Sequence, residues 1–353
     1  MRRTIACLLA LLVYAAYALA EPDTPYDPTT LVRYHAQPDA VRTVVDCLYQ
    51  GAARGQTQVT LPEGTRYDDA KQAVQVLLTD FPELWHLSTN AAISYYRDTP
   101  EFATAVTLAY TMDAAAYEAA QARLMDAAYA MLTAAPEDDY AAALHLHDAL
   151  ADRATYAADL AEPSIYTAYG ALVNGSAVCE GYAQAMTLLY RMAGIPCSMA
   201  TGSAVLDGAT VRHAWNVVRM DGHLLQTDCT LNDQDASGAL LHWYFLLPVQ
   251  DAAHTHHHEQ PELTPSDNTA WTFHARTNSL VADTTDVRRV LLAQLDDFCE
   301  EGRPMELRAA NPDLMEAITD NASALLGDAG ITTATVYANQ ALCIVTIAPG
   351  AAN

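Results

Sequence analysis

Apolar residues recur at three- and four-residue intervals from Asp39 to Gln50, at Val41, Val44, Val45 and Leu48, and predict a helix there. Gln58 to Leu61 reads as a strand, and Pro62-Glu63-Gly64 as a turn. A second helix is expected over Asp68 to Leu78. Strands follow over Leu84 to Leu87, Ala91 to Tyr96 and Ala103 to Tyr110. Two Ala-rich helices come next, Ala114 to Ala134 and Asp138 to Asp152. The second carries Tyr140, Leu144, His147 and Ala151 on one side. Near the C-terminus the pattern predicts a helix over Val287 to Glu300, a strand over Met305 to Arg308 and a helix over Asp313 to Leu326. A hairpin of Thr332–Tyr337 and Leu342–Ile347 closes it. This order of elements repeats that of residues 39–96, so 261–353 reads as a degenerate copy of that segment, or as an independent small α+β unit that happens to look alike. A central module of about 138–260 remains between an N-terminal region, 21–137, and the C-terminal one.

The chemically suggestive residues lie in that module. Gly175-Ser176-Ala177-Val178-Cys179-Glu180-Gly181-Tyr182-Ala183 opens a helix with Cys179, Ala183, Met186 and Tyr190 on one stripe, stopped by Gly194 and Pro196. Cys179 then falls in the first turn, where unpaired amides and the helix dipole stabilise negative charge and suit a nucleophilic sulfur. Downstream, Asp221-Gly222 joins two β-rich runs and predicts a two-residue hairpin turn. That register, or that of a four-residue turn, sets Trp215 opposite Asp228 and puts Asp228 on the face of His213, one diagonal away and within side-chain reach, whereas a three-residue loop would put the two on opposite faces. A thiol, an imidazole and a carboxylate so arranged supply a nucleophile, a base and the acid that orients the base. Tyr182 and Trp215 are expected to flank the site, whereas Asn216 points to the opposite face.

Charge narrows the partners. The chain has 18 basic and 43 acidic residues, a net charge of −25, which disfavours nucleic acid and anionic lipid surfaces. Arg2 and Arg3, the apolar run Ile5 to Leu19 and the small residues Ala18-Leu19-Ala20 read as a signal peptide cleaved near Ala20. Export follows, with no stable membrane insertion after cleavage. Beyond Cys7, six cysteines remain at wide spacings with no CxxC pair. Most are expected to be small buried residues, with one disulfide still open.

Other signals carry less. His254, His256, His257 and His258 read as a solvated polar loop rather than a metal site, since Glu259 is the only carboxylate beside them. Asp233 to Gly238 mimics the start of a calcium loop, but its twelfth position is Tyr244 instead of a bidentate Glu. His145 and His147 read as packed or surface residues. Neither a cofactor nor a metal is expected.

Tyr169-Gly170-Ala171-Leu172-Val173-Asn174-Gly175, Val178-Cys179-Glu180-Gly181-Tyr182-Ala183, Gly194-Ile195-Pro196, Gly202, His213-Ala214-Trp215-Asn216, Asp221-Gly222 and Asp228-Cys229-Thr230 together resemble the transglutaminase-like superfamily. The resemblance is close over about 138–260. Asp80-Phe81-Pro82-Glu83-Leu84, Tyr244-Phe245-Leu246-Leu247 and a histidine within 254–258 extend it weakly. It implies an α+β fold with a papain-like core, a Cys-bearing helix on an antiparallel sheet bearing His and Asp, flanked by small α+β elements. It also implies Cys179, His213 and Asp228 as the triad. The expected function is acyl transfer from protein or peptide amides through a Cys-acyl intermediate. A cysteine peptidase or amidase with the same triad, and a non-catalytic cell-surface module that kept the fold, stand beside it.

Overall fold

The computed structural model describes residues 24–206, 208–234 and 239–350. The expected signal segment, 1–20, lies outside them. In chain order the main elements are α1 (Asp39–Ala53), β1 (Gln58–Thr60), α2 (Tyr67–Asp80), β2 (Ala92–Tyr96), β3 (Thr99–Thr107), α3 (Ala114–Leu132), α4 (Asp139–Arg153) and α5 (Cys179–Met192). They continue with β4 (Cys197–Leu206), β5 (Ala209–Met220), β6 (His223–Thr227), β7 (His256–His258) and β8 (Leu280–Val281). The chain ends with α6 (Thr284–Glu301), β9 (Met305–Ala309), α7 (Asp313–Asp328), β10 (Ala334–Asn339) and β11 (Ile344–Pro349). The fold is mixed α and β. No helix among the described residues is long and apolar enough to cross a membrane.

The chain forms two compact units. The first comprises residues 24–146 and 157–199, the second 147–156 and 200–350. In the first, α1 buries Val41, Val44, Val45 and Leu48, the stripe that the sequence pattern predicts. One expected strand is absent. Leu84 to Leu87 is not extended; Pro82–Leu84 is a 3-10 turn directly after α2. Pro82 at its first position fixes φ and has no N–H to give, which suits a helical first turn better than a ladder. The real hairpin is β2–β3, and β3 lies between β1 and β2.

A buried polar knot ties distant parts of this unit together. Arg191 on α5 and Asp80 at the end of α2 form a 2.6 Å ion pair with both side chains fully buried. The Arg191 Nε donates to the Cys197 carbonyl at 2.7 Å, and one terminal nitrogen donates to Ser198 Oγ at 3.0 Å. Glu83, in the proline turn, accepts from Tyr26 Oη at 2.8 Å and Tyr49 Oη at 3.0 Å. Burial pushes the Glu83 carboxyl up despite these donors.

The second unit holds a four-stranded sheet in the order β7-β4-β5-β6, its β4 strand beginning in the first unit, and another in the order β8-β9-β11-β10. In the latter, β9 pairs antiparallel with β11, and β11 with β10. Residues 39–107 show the same sequence of elements and the same pairing, the first strand against the last of the hairpin. The likeness therefore extends past residue 96, through β3.

Candidate active site

Cys179 is the first residue of α5, preceded by Val178 in extended conformation with no side-chain cap. The free amides of the first turn are thus not taken up by a capping side chain. Gly181 is required by packing: a Cβ there would collide with the Ile165 carbonyl. Val178 N–H also donates to that carbonyl at 3.0 Å, so the loop around Ile165 is fastened to the helix start. At the other end Gly194, at φ 81°, closes a Schellman turn in which Ile195 N–H reaches the Tyr190 carbonyl at 2.8 Å. Cys179 is half-buried, and Tyr182, three residues on, is 1% exposed.

In the second unit the hairpin has the expected register. Met220 pairs with His223 and Asn216 with Thr227. Asp221 and Gly222 take φ of 47° and 80°, the left-handed pair that a tight hairpin turn demands. The ladder stops one residue short of Asp228. There the chain turns into the helical segment Cys229–Asn232, and Asp228 caps it: Oδ1 accepts from Leu231 N–H at 3.1 Å. The other oxygen receives the imidazole. His213 Nε2 lies 2.6 Å from Asp228 Oδ2, with both side chains buried. An ionised carboxylate can only accept, so Nε2 carries the proton and Nδ1 is the basic nitrogen of the neutral ring. Burial alone would push the Asp228 carboxyl up; the charge and hydrogen bonds of His213 and His256 override it and hold it well below the usual carboxylate range.

His256 corrects the sequence reading. It lies on β7 rather than in a solvated loop, is 2% exposed, and reaches the same Asp228 Oδ2 through Nε2 at 3.0 Å. Its Nδ1 faces Thr255 Oγ1 at 2.8 Å. β7 pairs with β4, His256 opposite Ala204, and strand alternation turns His256 inward and His257 outward. Four histidines within five positions look hydrophilic as a run. The signal that could have separated them is the two-residue period, which sets His256 and His258 on one face. Trp215, 1% exposed, stacks on His213 at 6.0 Å and meets His256 edge-on at 4.8 Å and His258 at 5.1 Å. It shields the imidazole–carboxylate pair from water. Asn216 is buried as well.

Among the described residues, two groups bring metal-ligand atoms together: His213–Asp228–His256 and His147–Asp148–His242. In the first, the 2.6 Å spacing is that of an N–H···O bond and is tighter than two ligands around one tetrahedral ion, roughly 3.3 Å apart at usual bond lengths. In the second, Tyr244 N–H donates to Asn232 Oδ1 at 2.9 Å, which turns the Asn232 amide nitrogen toward His147 Nε2 at 3.0 Å. His147 Nε2 must then accept, so its proton sits on Nδ1 and points to Asp148 Oδ1 at 2.9 Å. That nitrogen is occupied. His242 is held between carboxylates, Nδ1 to Glu306 at 2.5 Å and Nε2 to Asp148 at 3.1 Å. Burial opposes its charge, but the two acids raise its pKa to about 10. Both groups suit proton-mediated bonds.

The six described cysteines are free thiols. Cys47, Cys197 and Cys229 are buried, as expected of core residues, while Cys299 is exposed. Burial pushes the Cys229 thiol far up, and it donates to the His147 carbonyl at 3.5 Å.

The transglutaminase-like superfamily model matches residues 126–229. A crystal structure of a transglutaminase aligns with a TM-score of 0.29 and 13% identity, over 41% of this chain and 45% of that one. A candidate cysteine protease from Cytophaga hutchinsonii aligns with a TM-score of 0.27 and 17% identity, over 41% of this chain and 64% of that one. Each likeness thus spans less than two thirds of the solved chain. No curated protein matches. The segment of this chain that carries Cys179, His213 and Asp228 belongs to the transglutaminase-like superfamily.

Proposed function

We propose that this protein is an exported thiol acyl-transfer enzyme in which Cys179 is the nucleophile, His213 the base and Asp228 its orienting acid. The observation that carries the reading is the buried 2.6 Å bond from His213 Nε2 to Asp228, which fixes the ring in the tautomer with a basic Nδ1. In the proposed cycle Nδ1 takes the proton of the Cys179 thiol as sulfur attacks a peptide or side-chain amide carbonyl. The tetrahedral adduct collapses, the C–N bond breaks, and the imidazolium returns its proton to the departing amine or ammonia. A thioester remains. An amine or water then attacks the thioester carbonyl and gives its proton to Nδ1; the C–S bond breaks, the acyl product leaves, and the imidazolium returns the proton to sulfur. Asp228 stabilises the imidazolium at each transfer. The superfamily membership of residues 126–229 supports the thiol chemistry, and the basic stretch and apolar run before Glu21 support export.

The test uses an acyl probe directed at thiols, offered to the mature protein and to Cys179→Ala. Selective labelling of Cys179 under reducing conditions is expected, and its absence across neutral pH would overturn the reading. A glutamine peptide given with and without a small amine then identifies the acceptor. Amine incorporation means a transferase; ammonia release or cleavage alone means a hydrolase.

A further inference from the structure

Beside the start of α5, inside the first unit, lies an open cleft of about 870 Å³. That volume is in the range of small-ligand sites. Its walls are largely apolar and aromatic, with Phe81, Trp85, Met112 and Tyr166 among them. The Trp85 indole is braced: it stacks on Tyr169 at 4.6 Å and donates Nε1 to Gln121 at 2.9 Å, so it presents carbon to the cleft. Tyr166 in the wall stays 39% exposed, and its Oη donates to the Leu160 carbonyl at 3.2 Å.

The charged lining of the cleft is acidic, Glu162 and Glu180, and lacks a counter-charge. Glu180 is the residue after Cys179, and no Lys, Arg or His lines the cleft. Burial alone pushes the Glu180 carboxyl up, with no compensating cation. Gln184, one helical turn further and 7% exposed, lines the cleft too, and its Oε1 has no hydrogen-bond partner. Buried acceptors without donors cost free energy that a ligand bearing donors recovers. An apolar wall leading to a carboxylate and a bare amide oxygen complements an aliphatic stem with a cationic, many-donor head.

We infer that this cleft is a specificity subsite that receives a basic side chain, arginine above all, of the peptide acted on at Cys179, with its stem along Phe81 and Trp85 and its head at Glu180 and Gln184. The proposed thiol chemistry is used here only to name the ligand as a substrate. The basic residue is recognised, not attacked; a guanidinium serves although it is a poor nucleophile.

The test is equilibrium binding to full-length Cys179→Ala protein, which separates recognition from turnover. Blocked tetrapeptides identical except for one position, arginine, citrulline or leucine, are titrated by calorimetry and Trp fluorescence. Arginine is expected to bind about tenfold tighter than citrulline, its neutral isostere. The gap should vanish in Cys179→Ala/Glu180→Gln. Met112→Arg, which places a resident cation at a half-buried wall position, should suppress arginine binding by a similar factor. Equal affinity for arginine and citrulline, or a preference that persists in both cleft variants, overturns the inference. Failure of Cys179 to label while the arginine preference holds would remove the enzyme reading and leave the subsite. Labelling without the preference would do the reverse.

Discussion

His213 and Asp228 are joined through Nε2 and Oδ2 at 2.6 Å, fifteen residues apart in sequence and both buried. The bond sets which ring nitrogen is basic. Asp228→Asn would keep the shape but offer an amide that can donate to Nε2 and favour the opposite tautomer. Acyl transfer is expected to fall by roughly 10³–10⁴-fold in kcat, with little change in KM. Steady-state kinetics on a thioester-forming substrate checks this; a loss below tenfold would mean that the carboxylate does not orient the base.

His256 competes with His213 for the same carboxylate oxygen. Its hydrogen bond draws negative charge away from His213 and so weakens the imidazolium's partner. In His256→Phe, Asp228 would serve His213 alone, and the His213 ring would become more basic. The acid limb of the pH–rate profile should move to higher pH, and kcat at neutral pH should fall by about tenfold as Asp228 loses one anchor. A drop in activity with the limb unmoved would assign His256 a packing role only.

The elements with long, regular patterns were legible in the sequence. The stripe Val41–Leu48 became α1, and the turn Asp221-Gly222 set the β5–β6 register that leads to Asp228. Cys179 was placed at a helix start by its flanking glycines and stripe, and there it lies. Leu84 to Leu87 misled because apolar content alone cannot distinguish a strand from a tight turn, and Pro82 decided the matter. His256 was hidden for another reason. Its burial comes from pairing with β4, some fifty residues earlier, and the two-residue period of so short a strand sets the face but not the partner that buries it. The Arg191–Asp80 pair was likewise invisible, since each residue alone reads as an ordinary surface charge.

That ion pair makes its own prediction. Both side chains are fully buried, and Arg191 also holds the Cys197 carbonyl and Ser198. Asp80→Asn removes the charge that compensates a guanidinium in low dielectric, and is expected to cost about 3–5 kcal/mol of stability. Asp80→Leu combined with Arg191→Met should recover part of that, because no charge is then left buried. Urea unfolding of the single and double variants measures the difference; an exposed-pair value of about 1 kcal/mol or less for Asp80→Asn would show that the site is solvated.

His242 predicts a pH dependence of the second unit. Its ring lies between Glu306 and Asp148 and stacks on Phe273 at 4.1 Å. Burial disfavours the imidazolium, but the two carboxylates more than offset this and raise its pKa to about 10. A histidine whose pKa is raised on folding contributes stability that is complete below its unfolded value, roughly 6.5, and disappears as pH rises through the folded one. The protein should therefore lose stability between about pH 7 and pH 10 as this ring favours deprotonation less in the folded than in the unfolded state. Tyrosine and cysteine titrate in part of the same range, so the comparison is with His242→Gln. That variant leaves two carboxylates facing each other without a cation, and should be about 3–5 kcal/mol less stable at pH 7. Its deficit should shrink as pH approaches 10.5, because the parent then loses the charge as well. Thermal unfolding of both proteins across this range reads the convergence. Parallel curves, with a constant gap, would mean that His242 is neutral in the folded protein and that the two acids are held by something other than its charge.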